Sequence, residues 1–321
     1  MTGPVTIGPE DMAGTERLLR VVDALAEAFA DLSAGRVSSP PRTVVPHGGR
    51  RELLTATSVW ERHGVGSVKI TTLTPGNPDR GLPLIHGVVV LTDLDTGRVT
   101  ALLEGAELTA VRTGAAAALA TRLCAPADAA DLAVIGAGVQ ARALVRSVLA
   151  VRPVRTVRVF SRTGERTERF AQWISDTTDD RIRVFVCDTA EDAVRDAAVI
   201  CTATSTGGRE PLVKAGWVSP GAHVNVIGGT HEDALEVDPA LLEDAFVVVE
   251  ERAAARAEAG EVRAALADGL IDVHALHELG ELAEGAAAAV DGRTSVFRSV
   301  GMAIEDTAAA AALFAAAGAG P

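Results

Sequence analysis

Leu132-Ala133-Val134-Ile135-Gly136-Ala137-Gly138-Val139-Gln140-Ala141 reads as a short apolar strand, a glycine turn and the start of a helix. The spacing is Gly-x-Gly-x-x-Ala. Gly136 permits the tight turn, Gly138 lets a pyrophosphate approach the backbone, and Ala141 keeps helix close to strand. The helix start at Val139 and Gln140 offers N–H groups and a positive dipole end to phosphate. A tight βα turn without a ligand would use the same glycines, so the surrounding pattern has to decide.

That pattern is an alternation. Leu132–Ile135, Val157–Phe160, Ile182–Val186, Ala198–Cys201, His223–Ile227 and Phe246–Val249 are short apolar strands, most of them separated by helical stretches. Such alternation implies parallel strands joined by crossover helices, and six strands fit a doubly wound dinucleotide fold. At the end of the second strand an NAD site places a carboxylate for the ribose. Here Ser161-Arg162-Thr163 stands there, with no carboxylate before Glu165. A guanidinium flanked by two hydroxyls suits a 2′-phosphate, which favours NADP(H) over NAD(H). Arg162 stacking on adenine or pointing to solvent is the competing reading.

Upstream of Asp131 the pattern differs. Leu18, Leu19, Val22, Leu25 and Phe29 recur at helical spacing over 15–33. A Pro/Gly-rich stretch runs from Ser38 to Gly49, and Val65–Leu73 is strand-like. Leu84–Leu91 and Arg98–Leu103 form a hairpin about Asp95-Thr96-Gly97. Thr109 is positioned to cap an Ala-rich helix reaching Leu123, which would put Arg112 in its first turn. Phe297–Ala317 reads as one final helical run. The best boundary is Ala125-Pro126-Ala127-Asp128.

Composition narrows the classes. The chain has 321 residues, 48% of them hydrophobic, and a formal charge of −13. That charge repels nucleic acid. No apolar run approaches the roughly 20 residues that span a bilayer, so no membrane partner is expected. The polar N-terminus carries no targeting pattern, which makes the cytoplasm the default. Cys124, Cys187 and Cys201 lack metal-ligand spacing and read as reduced structural thiols, and no metal is expected. Of 30 basic residues only Lys69 and Lys214 are lysines, and tyrosine is absent. A lysine kept amid such arginine bias is a candidate for amine chemistry, since lysine shifts its pKa on burial. Lys69 lies in the apolar context Val68-Lys69-Ile70; a snorkelling strand lysine is the other reading.

Several stretches together resemble the ornithine cyclodeaminase/mu-crystallin family: Leu108-Thr109-Ala110-Val111-Arg112-Thr113-Gly114, the nucleotide motif from Val134 to Arg162, Thr202-Ala203-Thr204-Ser205, Pro220 to Gly228, Glu278 to Leu282, and Val296 to Asp306. The likeness runs from about Arg42 to the end. It implies an α/β protein: a doubly wound (Rossmann) dinucleotide domain over 128–296 and a discontinuous α+β substrate and dimerisation domain, 1–127 completed by 297–321. It implies a homodimer. By the same resemblance Arg42 and Arg112 would hold a substrate carboxylate, and Lys69 would lie against the substrate as the catalytic amine. Thr113, Gly136, Gly138, Val139, Gln140, Ser161, Arg162, Thr163, Thr202, Thr204, Val226, Gly228 and Ser299 would contact the cofactor. Thr230 and Val300 would join Arg42, Lys69 and Arg112 around the substrate.

Two departures matter. Cyclising members carry Asp after the Gly-Gly pair; here Gly228-Gly229 leads into Thr230, a poor general base, and His231 is the neighbouring proton-transfer candidate. Leu84 stands where many members have threonine. Asp306 would orient Arg42 or Lys69 or form a structural ion pair. Ser299 has a helix-start hydroxyl as its plain reading, and Glu250-Glu251 a solvated helix start. The remaining histidines, among them His47, His63, His86 and His223, show no metal-like pairing. The expected activity is NADPH-dependent reduction of a C=N bond in a small imino acid, or the reverse amino-acid dehydrogenation. Cyclodeamination of ornithine or lysine with catalytic NAD, and non-catalytic NADPH binding, are the alternatives.

Overall fold

The computed structural model describes residues 3–49, 51–205, 208–229, 233–285 and 290–318. The elements begin with β1 (Val5–Ile7), α1 (Pro9–Met12), α2 (Thr15–Ser33), β2 (Thr43–His47), β3 (Arg51–Trp60) and β4 (Val65–Leu73). Next come β5 (Ile85–Asp93), β6 (Val99–Glu104), α3 (Gly105–Cys124), β7 (Asp131–Ile135), α4 (Val139–Val151), β8 (Thr156–Phe160), α5 (Gly164–Thr177) and β9 (Arg183–Val186). The chain continues through α6 (Ala190–Val194), β10 (Val199–Thr202), β11 (His223–Val226), β12 (Phe246–Val249), α7 (Arg252–Glu258) and α8 (Gly260–Ala267). It ends with β13 (Leu276–Glu278), α9 (Leu279–Ala283), β14 (Ser295–Arg298) and α10 (Ala303–Ala316). Two compact units result: Met1–Ala115 with Gly301–Pro321, and Ala116–Val300. The division falls inside α3 rather than at Ala125–Asp128, because Ala117 packs with Leu132 and Val134 in the core of the second unit.

The first unit is built on a six-stranded sheet in the order β1-β6-β5-β4-β3-β2, antiparallel except for β1 beside β6. Period-two alternation sets its faces. Ala56, Lys69, Val89, Leu103 and Ile7 are cross-strand partners in one row. Val89, Leu103 and Ile7 in this row are buried, and α10 packs against β3, β4 and β5. α2 packs on α10 and buries Val21, Val22, Leu25 and Phe29; a fully buried side chain of this size contributes about 1.5–3 kcal/mol. The opposite face leaves Val45, Leu53, Val68 and Ile70 between 37% and 50% exposed. β2 lies within the expected Pro/Gly-rich stretch, and β3 was not anticipated. Its Thr55-Ala56-Thr57 segment gives no apolar alternation to read.

The second unit holds eight strands in the order β13-β12-β14-β11-β10-β7-β8-β9, every pairing parallel. The chain winds from β7 through β8 to β9 on one side, then starts again from β10 on the other. The carboxyl ends of β7 and β10 therefore flank the topological switch point, where open α/β sheets bind ligands. The six expected strands are present, with β13 and β14 added. Phe297, expected in a helix, is a fully buried residue of β14 between β11 and β12. The helix begins only at Ala303, and Phe297 and Arg298, the first two residues of the expected helical run, instead close the strand Ser295–Arg298. β10, β11, β12 and β14 are buried throughout, as expected of parallel strands covered on both faces. Among the described residues no helix is long and apolar enough to cross a membrane.

Candidate active site

In the first unit, Lys69 projects from β4 onto the covered face and is 8% exposed. Its Nζ donates to Asp306 Oδ1 at 3.0 Å and to Thr109 Oγ1 at 2.6 Å. The Thr109 hydroxyl spends its own proton on the Gly105 carbonyl at 2.6 Å, so toward Lys69 it accepts. Two of the three ammonium hydrogens are thus directed, and the third has no partner among the described residues. Burial holds the Lys69 pKa below the ordinary lysine value; the nearby Arg112 charge adds to this, while Asp306 and Glu305 oppose it.

Arg112 enters the same cluster. Its Nη1 donates to Glu305 Oε2 at 2.9 Å, and its Nε lies 3.6 Å from Asp306 Oδ1. Glu305 and Asp306 sit in the first turn of α10, where the helix dipole favours negative charge. Gly301 fits beneath the guanidinium: with φ +82°, a Cβ there would come within 2.9 Å of Arg112 Nη1. Two cations and two carboxylates make a compensated cluster. Below α10's first turn, Thr307 Oγ1 bonds Ser58 and Ser67 hydroxyls and fastens the helix to β3 and β4.

Arg112 lies in the second turn of α3, not the first. The helix starts at Gly105, and the Glu104 carboxylate caps it by accepting from Ala106 N at 3.1 Å and Glu107 N at 2.7 Å. Thr109 is therefore an interior helix residue serving Lys69. Arg42 is exposed and precedes β2. The pairs Thr43↔Thr55 and Ala56↔Lys69 extend to put position 42 two strands from Lys69 in the same row, about 10 Å at ordinary strand spacing. Thr113 is buried in α3.

In the second unit, Gly136 ends β7 with φ +119°, and a Cβ there would lie 2.5 Å from the Ala203 carbonyl. Only glycine accepts both conditions. Gly138 caps α4 in an extended conformation with nothing within 4 Å of where its Cβ would stand. Val139 is 65% exposed beside that space, and Gln140 Oε1 is buried with no hydrogen-bond partner among the described residues. The open space at this helix N-terminus fits a pyrophosphate, which the free N–H groups of the first turn can receive. Ser161 Oγ bonds Thr167 Oγ1 at 2.7 Å, so its hydroxyl is engaged by α5, while Arg162 and Thr163 are exposed.

The ends of β10, β11 and β14 are tied together by buried charge. Thr204 N donates to Glu236 Oε2 at 3.1 Å, and the Thr204 hydroxyl bonds the other carboxyl oxygen. Glu236 N donates to Glu261 Oε1 at 2.7 Å, and Glu261 accepts from Arg298 Nε at 2.7 Å. Arg298 also reaches the carbonyls of Val226, Gly229 and Ser299. Burial raises the Glu236 pKa, with Glu261 adding to it. Thr202 is fully buried at the end of β10, and Gly228 N donates to its carbonyl at 3.2 Å.

Several plain expectations are corrected here. Ser299 starts no helix; its Oγ donates to buried Glu250 Oε1 at 2.6 Å, and Val300 N donates to Glu250 Oε2 at 2.9 Å. Glu250 is thus a buried acceptor rather than a solvated one. Glu251 caps α7, its pKa raised by burial and by Glu278. His223 is buried within the sheet, bonded to Ser295 and Asn225, with its pKa pushed down to about 4 by burial. His63 pairs with Glu27 at 3.1 Å. The three thiols are free, and Cys201 is buried with its pKa raised to about 12. Thr230 and His231 lie outside the described residues. Among the described residues no group of His, Cys, Asp and Glu could hold a metal ion.

Sequence reasoning gave no role to Glu305, Glu236 or Arg298, and read Thr109 only as a helix cap. Glu305 falls at a helix start, where an acidic residue usually needs no partner beyond the dipole.

Residues 9–320 match the family described as ornithine cyclodeaminase/mu-crystallin. The ketimine reductase mu-crystallin of Mus musculus is 34% identical over 304 residues, which cover 94% of this chain and 92% of that protein. The fold is that of the Thermococcus litoralis Δ1-pyrroline-2-carboxylate reductase, solved with NADH and L-proline: TM-score 0.88, 30% identity, 98% of this chain and 97% of that one. An archaeal alanine dehydrogenase dimer with bound NAD gives a TM-score of 0.86 at 27% identity, covering 98% of this chain and 96% of that one.

Proposed function

This chain belongs to the ornithine cyclodeaminase/mu-crystallin family, and on that premise we propose that it reduces the C=N bond of a small imino acid with NADPH. The observation that carries this reading is the buried Lys69 ammonium, held by Thr109 and Asp306 with one hydrogen to spare. When bound, the reduced nicotinamide supplies a hydride to the imine carbon. The nitrogen then needs one proton, which in this reading comes from Lys69 Nζ; the C=N bond becomes CH–NH and the lysine amine is left neutral. A pKa below that of ordinary lysine makes the donor more acidic, and so a better one near neutrality. Asp306 and Thr109 hold the amine against rotation. Arg112 and Arg42 supply the positive charge that a substrate carboxylate seeks, Arg112 from within the compensated cluster and Arg42 from the exposed end of the same sheet row. The same groups serve the reverse oxidation of an amino acid.

NADP(H) is the preferred cofactor in this reading, because the end of β8 presents Arg162 and no carboxylate. A homodimer belongs to the same reading, supported by the apolar face of the first sheet at Val45, Leu53, Val68 and Ile70, a patch that a second copy can bury. Reduced cofactor and free thiols suit the cytoplasm.

The test is a panel of cyclic and linear imino acids with NADPH and NADH, followed by loss of nicotinamide absorbance. The expected result is oxidation of NADPH by at least one α-imino acid. Ammonia released from ornithine or lysine with no net change in nucleotide would replace this reading with cyclodeamination. Tight NADPH binding without turnover on any member of the panel would replace it with a carrier role.

A further inference from the structure

The second unit has a cleft against its glycine turn, lined by Ala137, Arg142, Arg166, Arg169 and Phe170. Ala137 is the residue between Gly136 and Gly138, so the cleft opens beside the pyrophosphate turn. Arg142 stands in the first turn of α4 and Arg166 in the first turn of α5, so two helix N-termini bring guanidinium groups to one place. The Arg142 guanidinium lies 5.0 Å over the Trp173 ring, which restrains it. Arg169 is engaged by Glu165 one turn earlier, so it is set apart from Arg142 and Arg166 in this cleft.

Among the described residues Arg142, Arg162 and Arg166 form no ion pair. The chain carries 43 acidic residues against 30 basic ones, so leaving these arginines unpaired is not forced by composition. Clustered cations repel one another, and an incoming anion relieves that repulsion. We propose that Arg142 and Arg166 clamp the 2′-phosphate of NADP(H), and that discrimination against NAD(H) is carried by this pair together with Arg162. The inference rests on the cofactor reading above and extends it from one arginine to a clamp built from two helices. A phosphate monoester carries about 1.5 to 2 negative charges near neutrality and three strong acceptors, enough for several charge-assisted bonds at once. The 2′-hydroxyl of NAD(H) offers the clamp no charge.

The experiment is calorimetric titration of the full-length protein with 2′,5′-ADP and with 5′-AMP, at one ionic strength, in the wild type and in Arg142→Ala/Arg166→Ala. The wild type should prefer 2′,5′-ADP by at least about tenfold, the double variant should lose most of that preference, and 5′-AMP affinity should stay within about twofold. An unchanged melting temperature shows that the variant is folded. A wild type that does not discriminate would overturn the NADP(H) reading and the clamp with it. A wild type that discriminates, beside a double variant that does so equally well, would overturn the clamp alone and leave Arg162 as the reader.

Discussion

Two charged clusters of the molecule are opposites. Around Lys69 every charge has a partner and almost none is exposed: Lys69 meets Asp306, and Arg112 meets Glu305. Around the β8 end, Arg142, Arg162 and Arg166 are exposed and, among the described residues, meet no carboxylate. Burial with compensation fixes geometry and shifts a pKa, which is what proton transfer needs. Exposure without compensation leaves a field for an incoming anion, which is what binding needs. In the proposed reading this difference gives proton transfer to the first cluster and nucleotide selection to the second.

Breaking the compensated cluster should have the largest effects. Lys69→Ala should lower kcat by about 10² to 10⁴-fold or more, the usual worth of a general acid, while NADPH affinity by fluorescence titration stays within about twofold. Retained turnover would remove Lys69 from its role. Glu305→Ala leaves the Arg112 guanidinium buried and short of a partner, and should cost about 3–5 kcal/mol in denaturant unfolding; a loss under about 1 kcal/mol would show that the cluster relaxes freely.

His223 sharpens the comparison, since it is buried without charge. Its folded pKa of about 4 lies below the unfolded value near 6.5, so between these limits the unfolded chain binds more protons. The stabilisation is complete above about pH 6.5 and is lost as pH falls toward 4, about 3 kcal/mol at most. His223→Gln should flatten that part of the stability–pH curve, and an unchanged slope would mean that the ring is protonated in the fold. At the small end, Arg20→Ala breaks an exposed i,i+4 pair with Glu16 and should leave the melting temperature unchanged within error.

Much of this was legible in the sequence. The helix over 15–33 and the strand Val65–Leu73 match residue for residue, because amphipathic spacing and apolar runs are local signals. Lys69 stood out because lysine is scarce in this chain. What was not legible depends on distant partners. Glu250 looks like a surface acid until Ser299 and Val300 are brought to it by β14, about fifty residues on. Arg298 reads as the start of a helical run until the structure sets it at the end of β14 with Glu261 beside it. Thr109 looked like a cap because nothing local reveals that Glu104 takes that task.

The central claim is that Lys69 protonates the substrate nitrogen with a pKa set by burial and by Asp306. The direct test is the pH dependence of kcat at saturating imino acid and NADPH, in the wild type and in Asp306→Asn. Activity should fall on the alkaline side with an apparent pKa below the ordinary lysine value of about 10.4. Because Asp306 favours the charged amine, Asp306→Asn should move that limb to still lower pH. A limb that does not move, or that moves upward, would contradict the account.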